Sequence, residues 1–140
     1  MNDIKKAAQI IRSGGLVAFP TETVYGLGAD ARNESACLSI FRAKGRPSNN
    51  PLIVHVSSIE SALLLAEFND DALSLIKFWP GPLSMVLPRK ADAQIANSVS
   101  AGLSTIAIRI PSDPIALQLI VASACPIAAP SANKSGSLSP

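Results

Sequence analysis

Ala43-Lys-Gly-Arg-Pro-Ser-Asn-Asn-Pro-Leu-Ile-Val-His-Val56 joins the end of a helical pattern to a short apolar run. Pro47 and Pro51 hold the backbone extended between the two. The apolar run, residues 52–56, reads as a buried strand and carries the single histidine of the chain, His55. A helix that hands over to a buried strand is the repeating step of an α/β layer. Lys44 and Arg46 sit two apart, just past the helical pattern. Beside a rigid, amide-rich turn they read as a candidate anion-binding edge, in a chain of which only 16% is charged.

Working outward, the same alternation recurs. Asn2 is placed to cap a helix whose apolar face is Ile4, Ala7, Ala8 and Ile11, and Gly14 and Gly15 stop it. Residues 16–19 read as a strand ending at Pro20. Residues 21–30, with Gly26 and Gly28, read as a loop or short turn. A second helix fits 34–43. Ser58 opens a short helix to about residue 66, and Asn69 or Asp70 caps another that runs through Phe78 and Trp79. Pro80-Gly81-Pro82 is a hard stop. Residues 83–87 and 105–110 read as strands, with a polar loop at 89–102. Pro114, behind Asp113, begins a helix to residue 124, and 127–129 is a last strand. There is no internal repeat. The expected fold is α/β, a twisted mixed sheet with flanking helices. Two successive helices between 58 and 78, with no strand between them, argue against a regular βαβ repeat.

The length, 140 residues, suits one domain with a substantial core. Nearly half the residues are apolar, which excludes a disordered chain. A net charge of +2 excludes a strongly basic nucleic-acid binder but leaves room for a local basic face. Four Phe, one Tyr and one Trp are too few for a base-stacking platform. Cys37 and Cys125 read as buried, reduced thiols, with no Cys-x-x-Cys or Cys/His cluster for zinc. The first residues lack a secretory apolar core, and no apolar run approaches the ~20 residues of a membrane span. The expectation is a cytoplasmic protein with no membrane partner. The loop-like Ser/Gly/Pro stretch at 131–140 reads either as a mobile tail or as a domain cut before its last elements, with the cut the favoured expectation.

Several residues carry chemistry on one reading and structure on another. Pro20-Thr21-Glu22-Thr23-Val24-Tyr25-Gly26-Leu27 puts hydroxyls and a carboxylate at a strand end, either to meet a ligand or to cap a turn. Lys44 and Arg46 face phosphates or end a solvated helix. His55 is a hydrogen-bonded core residue or a catalyst. Arg109 interrupts Thr105-Ile-Ala-Ile-Arg-Ile-Pro111, an otherwise buried strand, so it needs a partner or an anionic ligand. Ser131 and Asn133 hold a polar ligand or cap a turn. The chain has no P-loop, no Gly-x-Ser-x-Gly and no His-Glu-x-x-His. One histidine without a partner pattern also argues against a nucleophilic triad.

Five of these pieces occur in an order that resembles the YrdC/Sua5 family, the L-threonylcarbamoyladenylate synthases. They are Pro20 to Leu27, Lys44-Gly45-Arg46-Pro47 through Asn50-Pro51-Leu52, Trp79-Pro80-Gly81-Pro82, Thr105 to Pro111, and Pro130 to Asn133. The resemblance covers almost the whole chain and implies a YrdC-like (DHBP synthase-like) single domain over residues 1–140, incomplete at its C-terminal end. It implies a nucleotidyltransferase that joins L-threonine, bicarbonate and ATP into threonylcarbamoyl-AMP and releases pyrophosphate. The product feeds the tRNA threonylcarbamoyl-transferase machinery, which modifies the adenosine next to the anticodon.

The resemblance also implies site residues. Lys44, Arg46, Ser131 and Asn133 surround the nucleotide, with Lys44 and Arg46 the catalytic cations. Asn50, Thr105 and Ser139 fall where ATP contacts lie. Thr23, His55 and Arg109 fall where threonine is held, with Arg109 the carboxylate partner. No protein-held metal is expected, and Mg²⁺ comes with ATP as substrate. Two other readings stand beside this one. The first is a non-catalytic module of the same fold that binds double-stranded RNA or tRNA by shape and backbone charge. The second is the carbamoyl-adenylate-forming domain of hydrogenase maturation proteins, which sits in longer chains with zinc-finger motifs that do not occur here.

Overall fold

A computed structural model describes residues 2–20, 25–45 and 51–130. Its elements follow chain order as α1 (Asn2–Arg12), β1 (Val17–Pro20), β2 (Tyr25–Asp30), α2 (Glu34–Lys44), β3 (Ile53–His55), α3 (Ile59–Leu63), α4 (Asp70–Leu75), β4 (Met85–Pro88), β5 (Thr105–Arg109), α5 (Pro114–Ser123) and β6 (Ile127–Ala129). Short 3₁₀ turns occupy Ile76–Phe78 and Asn97–Ser100. The strands form one six-stranded sheet in the order β1-β2-β6-β3-β5-β4. Only β3 and β5 run parallel; the other neighbours are antiparallel. The fold is therefore the expected mixed α/β sheet with flanking helices, without a βαβ repeat.

The helix boundaries follow from local chemistry. The side chains of Asn33, Ser58, Asn69 and Asp113 each accept a backbone N–H in the first turn of α2, α3, α4 and α5. Gly45 ends α2 in the left-handed region at φ 64°, where glycine carries no Cβ penalty. Asn2, expected as a cap, is instead the first helical residue of α1.

Residues 25–30 correct the sequence reading. They form β2, not a loop or turn. Two glycines lower intrinsic strand preference, but β2 lies between β1 and β6 and is hydrogen-bonded on both sides. That double pairing, with Ala29 fully buried, overrides local propensity. The segment 89–102 is a loop apart from its 3₁₀ turn, but Ile95, Ala96 and Val99 are buried in the main core. Its ends are held by Arg89, whose guanidinium donates to the carbonyls of Ile95 and Ala96 and to Ser100 Oγ.

Alternation along the strands sorts the side chains onto two faces. Ala29, Ala128, Val54, Ile106, Ile108, Met85 and Leu87 point to one face. There they pack with Ala36, Cys37, Ile40 and Phe41 of α2, and with Ala62, Ala72 and Trp79, in the larger core. On the other face Ile127 and Ala129 pack with Ala8 of α1 and Ala116, Leu119 and Ile120 of α5. That second cover stops short of β5 and β4. Ile53, Thr105 and Ala107 are half-buried there, and Val86 is 67% exposed. This half of the sheet carries Thr105 and Arg109, two of the residues expected at the site.

Candidate functional site

The strand registers bring three of the expected site residues onto one face. Thr105, Ala107 and Arg109 alternate along β5 on the open side, and His55 stands beside Arg109 in the parallel β3/β5 pair. Four residue steps along the strand separate Thr105 from Arg109, a span of about 13 Å. The registers also define a common edge. The C-terminal ends of β1, β4 and β6 and the N-terminal ends of β2, β3 and β5 all reach it. Thr105 sits at that edge, while His55 and Arg109 close the opposite ends of β3 and β5. Lys44 is the last residue of α2. Thr23, Arg46, Asn50, Ser131, Asn133 and Ser139 lie outside the described residues.

His55 is 1% exposed. Its Nδ1–H donates to the carbonyls of Ile53 at 3.1 Å and Ile127 at 3.3 Å. Two carbonyl acceptors fix the proton on Nδ1, which makes Nε2 the acceptor nitrogen. Burial pushes the imidazole pKa down from 6.5 to about 4, against the pull of the two carbonyls. At neutral pH His55 is therefore an uncharged acceptor inside the sheet. It is at once the hydrogen-bonded core residue of one reading and a polar group beside Arg109.

Arg109 is 6% exposed. Its Nε–H donates to the Gly81 carbonyl at 2.9 Å. Burial lowers its pKa, but a guanidinium starts so high that it stays charged at neutral pH. The Trp-Pro-Gly-Pro stretch, legible in the sequence only as a stop, thus does more than end a helix. Gly81 donates its own N–H to the Ile110 carbonyl at 2.8 Å, so it docks on the end of β5 and accepts from Arg109 at once. The signal for this role lay in the position of glycine between two prolines. Its partner was not readable before β5 was placed.

A second cluster lies under β2 and escaped the sequence reading. Asp30 is 7% exposed and holds Arg32 through paired bonds, Nε to Oδ1 and Nη2 to Oδ2, each 3.0 Å. Burial alone would raise the Asp30 pKa, but the Arg32 hydrogen bonds and charge outweigh it and hold the carboxyl below 3.8. Cys37 and Cys125 are free, buried thiols, as expected. Burial raises them to about 12 and about 11, so neither is a thiolate nucleophile at neutral pH. Among the described residues no three His, Cys, Asp or Glu side chains gather as a metal site. No described helix is long and apolar enough to cross a membrane.

Fold and site together define a mixed α/β domain in which one sheet face carries a buried cation, a neutral imidazole and a half-buried hydroxyl. The chain belongs to the Sua5/YciO/YrdC family, whose model, described as "Telomere recombination", matches residues 9–140. It is 55% identical over 139 residues to the threonylcarbamoyl-AMP synthase of Pyrococcus abyssi, covering 98% of this chain and 40% of that protein. It is 38% identical over 134 residues to the threonylcarbamoyl-AMP synthase of Halorhodospira halophila, covering 94% of this chain and 69% of that protein. Among solved structures, P. abyssi Sua5 complexed with L-threonine matches with a TM-score of 0.88 at 54% identity, over 98% of this chain and 40% of that one. The chain thus spans well under half the length of the P. abyssi protein.

Proposed function

We propose that this domain forms threonylcarbamoyl-AMP from L-threonine, bicarbonate and ATP, and so acts as a nucleotidyltransferase. Bicarbonate takes up a proton and loses water to give CO₂, which the threonine amine captures as a carbamate with release of a proton. A carbamate oxygen then attacks the α-phosphorus of ATP, the bond to the bridging oxygen breaks, and pyrophosphate leaves. The carbamate is already an anion, so the step needs positioning and charge neutralisation more than a strong base. That accounts for a site of cations, hydroxyls and a neutral imidazole.

The observation that carries this reading is the side-by-side placement of His55 and Arg109, in a frame matching a Sua5 structure complexed with L-threonine. Arg109 holds the substrate carboxylate, and His55 Nε2 and Thr23 accept from or donate to its polar groups. Lys44 and Arg46 neutralise the phosphates, and Asn50, Thr105, Ser131, Asn133 and Ser139 complete the nucleotide contacts. Mg²⁺ arrives bound to the ATP phosphates. The product passes to a tRNA threonylcarbamoyl-transferase in the cytoplasm, with tRNA as the final acceptor.

The test is pyrophosphate release from Mg-ATP and bicarbonate, with and without L-threonine. Threonine-dependent release that falls at least a hundredfold in Lys44→Ala and in Arg46→Ala, with unchanged circular dichroism, is the expected result. Normal turnover in both variants would refute the roles given to these cations. Silence from a folded chain that retains salt-sensitive binding of double-stranded RNA would favour the RNA-binding module instead.

A further inference from the structure

We infer that residues 79–83 form a bracket that orients the guanidinium of Arg109 and thereby sets how tightly the domain holds the carboxylate of its amino-acid substrate. This rests on the proposed role of Arg109 as carboxylate partner.

The bracket is constrained at every point. The Trp79 indole Nε1–H donates to the Leu83 carbonyl at 2.7 Å and closes the turn on itself. The Trp79 backbone N–H donates to Ile76 at 2.9 Å and ties the turn to the preceding 3₁₀ helix. The indole is 7% exposed and meets Phe68 edge-on, with centroids 6.3 Å apart and planes at 76°. A side chain at Gly81 would place its Cβ 3.0 Å from the Phe78 carbonyl oxygen, so the turn would have to give by a few tenths of an ångström to accept one. Its apex is then held on β5 by the Gly81 N–H to Ile110 bond and receives Arg109 Nε–H at 2.9 Å.

A guanidinium is planar and rigid, so a bond at Nε anchors one corner of it and limits the positions open to its Nη end. The Gly81 carbonyl is that bond's acceptor. A shift of a few tenths of an ångström at Gly81 therefore moves the anchor of the guanidinium and with it the charged end of Arg109. The fold holds the rest of β5 in place through β3 and β4. Residues 79–83 are thus positioning residues, acting on the substrate through Arg109.

The experiment is calorimetric titration of the full chain with L-threonine and, separately, with Mg-ATP. Four variants are compared: Gly81→Ala, Trp79→Phe, Arg109→Lys and Ile11→Val. Trp79→Phe keeps an aromatic in the core and deletes the bond to Leu83, at the cost of some buried ring volume. Ile11→Val trims the core under α1, away from β5, and controls for lost stability. The expected result is a threonine Kd raised roughly tenfold in Gly81→Ala and Trp79→Phe, with the Mg-ATP Kd changed less than twofold. Ile11→Val lowers Tm and leaves the threonine Kd unchanged. If Arg109→Lys weakens threonine while both bracket variants bind it normally, the bracket inference fails and the role of Arg109 stands. A parallel loss of threonine and Mg-ATP affinity in the bracket variants also overturns it, since that is the mark of a general structural defect. If Arg109→Lys binds threonine as well as the parent chain, the reading of Arg109 fails and the inference falls with it. Should Gly81→Ala not fold, Trp79→Phe alone decides.

Discussion

His55 makes folding stability fall as the pH is lowered, in a range where few other groups titrate. Its imidazole is 1% exposed and its pKa lies at about 4, against 6.5 for an exposed histidine. Below pH 6.5 the unfolded chain takes up a proton that folded His55 resists, so unfolding binds a proton and acid favours it. The loss begins near pH 6.5 and levels off below about pH 4. At ~1.4 kcal/mol for each pH unit, the full gap corresponds to about 3 kcal/mol, of which about 2 kcal/mol falls between pH 6.5 and pH 5. That is a large share of the ~5–15 kcal/mol typical of a domain. The perturbation is His55→Gln, which keeps an N–H donor for the carbonyls of Ile53 or Ile127 and removes the titration. Urea unfolding of both proteins at pH 7, 6.5, 6, 5.5 and 5 measures the difference in slope. Because the chain has a single histidine, its imidazole is also the one such signal in a carbon–proton NMR correlation. The parent protein is expected to lose about 2 kcal/mol more than His55→Gln over this range. Equal pH slopes in the two proteins, or an imidazole titrating with a midpoint near 6.5 in the folded state, would refute the reasoning.

Two further outcomes are expected. Asp30→Asn should cost about 1 kcal/mol at pH 7, because Arg32 is 46% exposed and solvent screens the pair. The Asp30 pKa is lowered by folding, so this contribution is fully present above 3.8 and disappears as pH falls below it; a wild-type advantage that persists in strong acid would contradict the assignment. Ser123 Oγ is buried with no hydrogen-bond partner among the described residues. Ser123→Ala should therefore raise stability by about 1 kcal/mol, and a lowered Tm would show that the hydroxyl has a partner in solution.

The site was legible in parts for identifiable reasons. Arg109 stood out because a fixed charge inside Thr105-Ile-Ala-Ile-Arg-Ile-Pro111 demands an explanation that a solvated residue does not. His55 stood out for the same reason in its apolar run, and both are buried where their strands predicted. That they stand side by side was not readable, because parallel pairing of β3 with β5 joins residues that are 54 apart in the chain. Gly81 showed only its turn-forming role, since its contacts with Ile110 and Arg109 exist only once β5 is in place. The paired bonds of Asp30 and Arg32 are not legible in the sequence, because the glycines of residues 21–30 point to a loop and a loop gives no sign that Asp30 is buried.

Short-range information determined most of the elements. Capping residues, Gly45 and Pro114 mark helix ends through bonds within a few residues, and apolar runs mark β3, β4, β5 and β6 through burial alone. Tertiary structure decided whatever depends on a distant neighbour. It made a strand of Tyr25–Asp30, because β1 and β6 supply hydrogen bonds that two glycines cannot forgo once the strand is buried between them. It also decided which sheet face stays open, because α1 and α5 cover β1, β2 and β6 but do not reach β5 and β4. Sequence states which side chains carry charge or hydroxyls, but their convergence on one surface depends on strand register, which is set by packing between segments far apart in the chain.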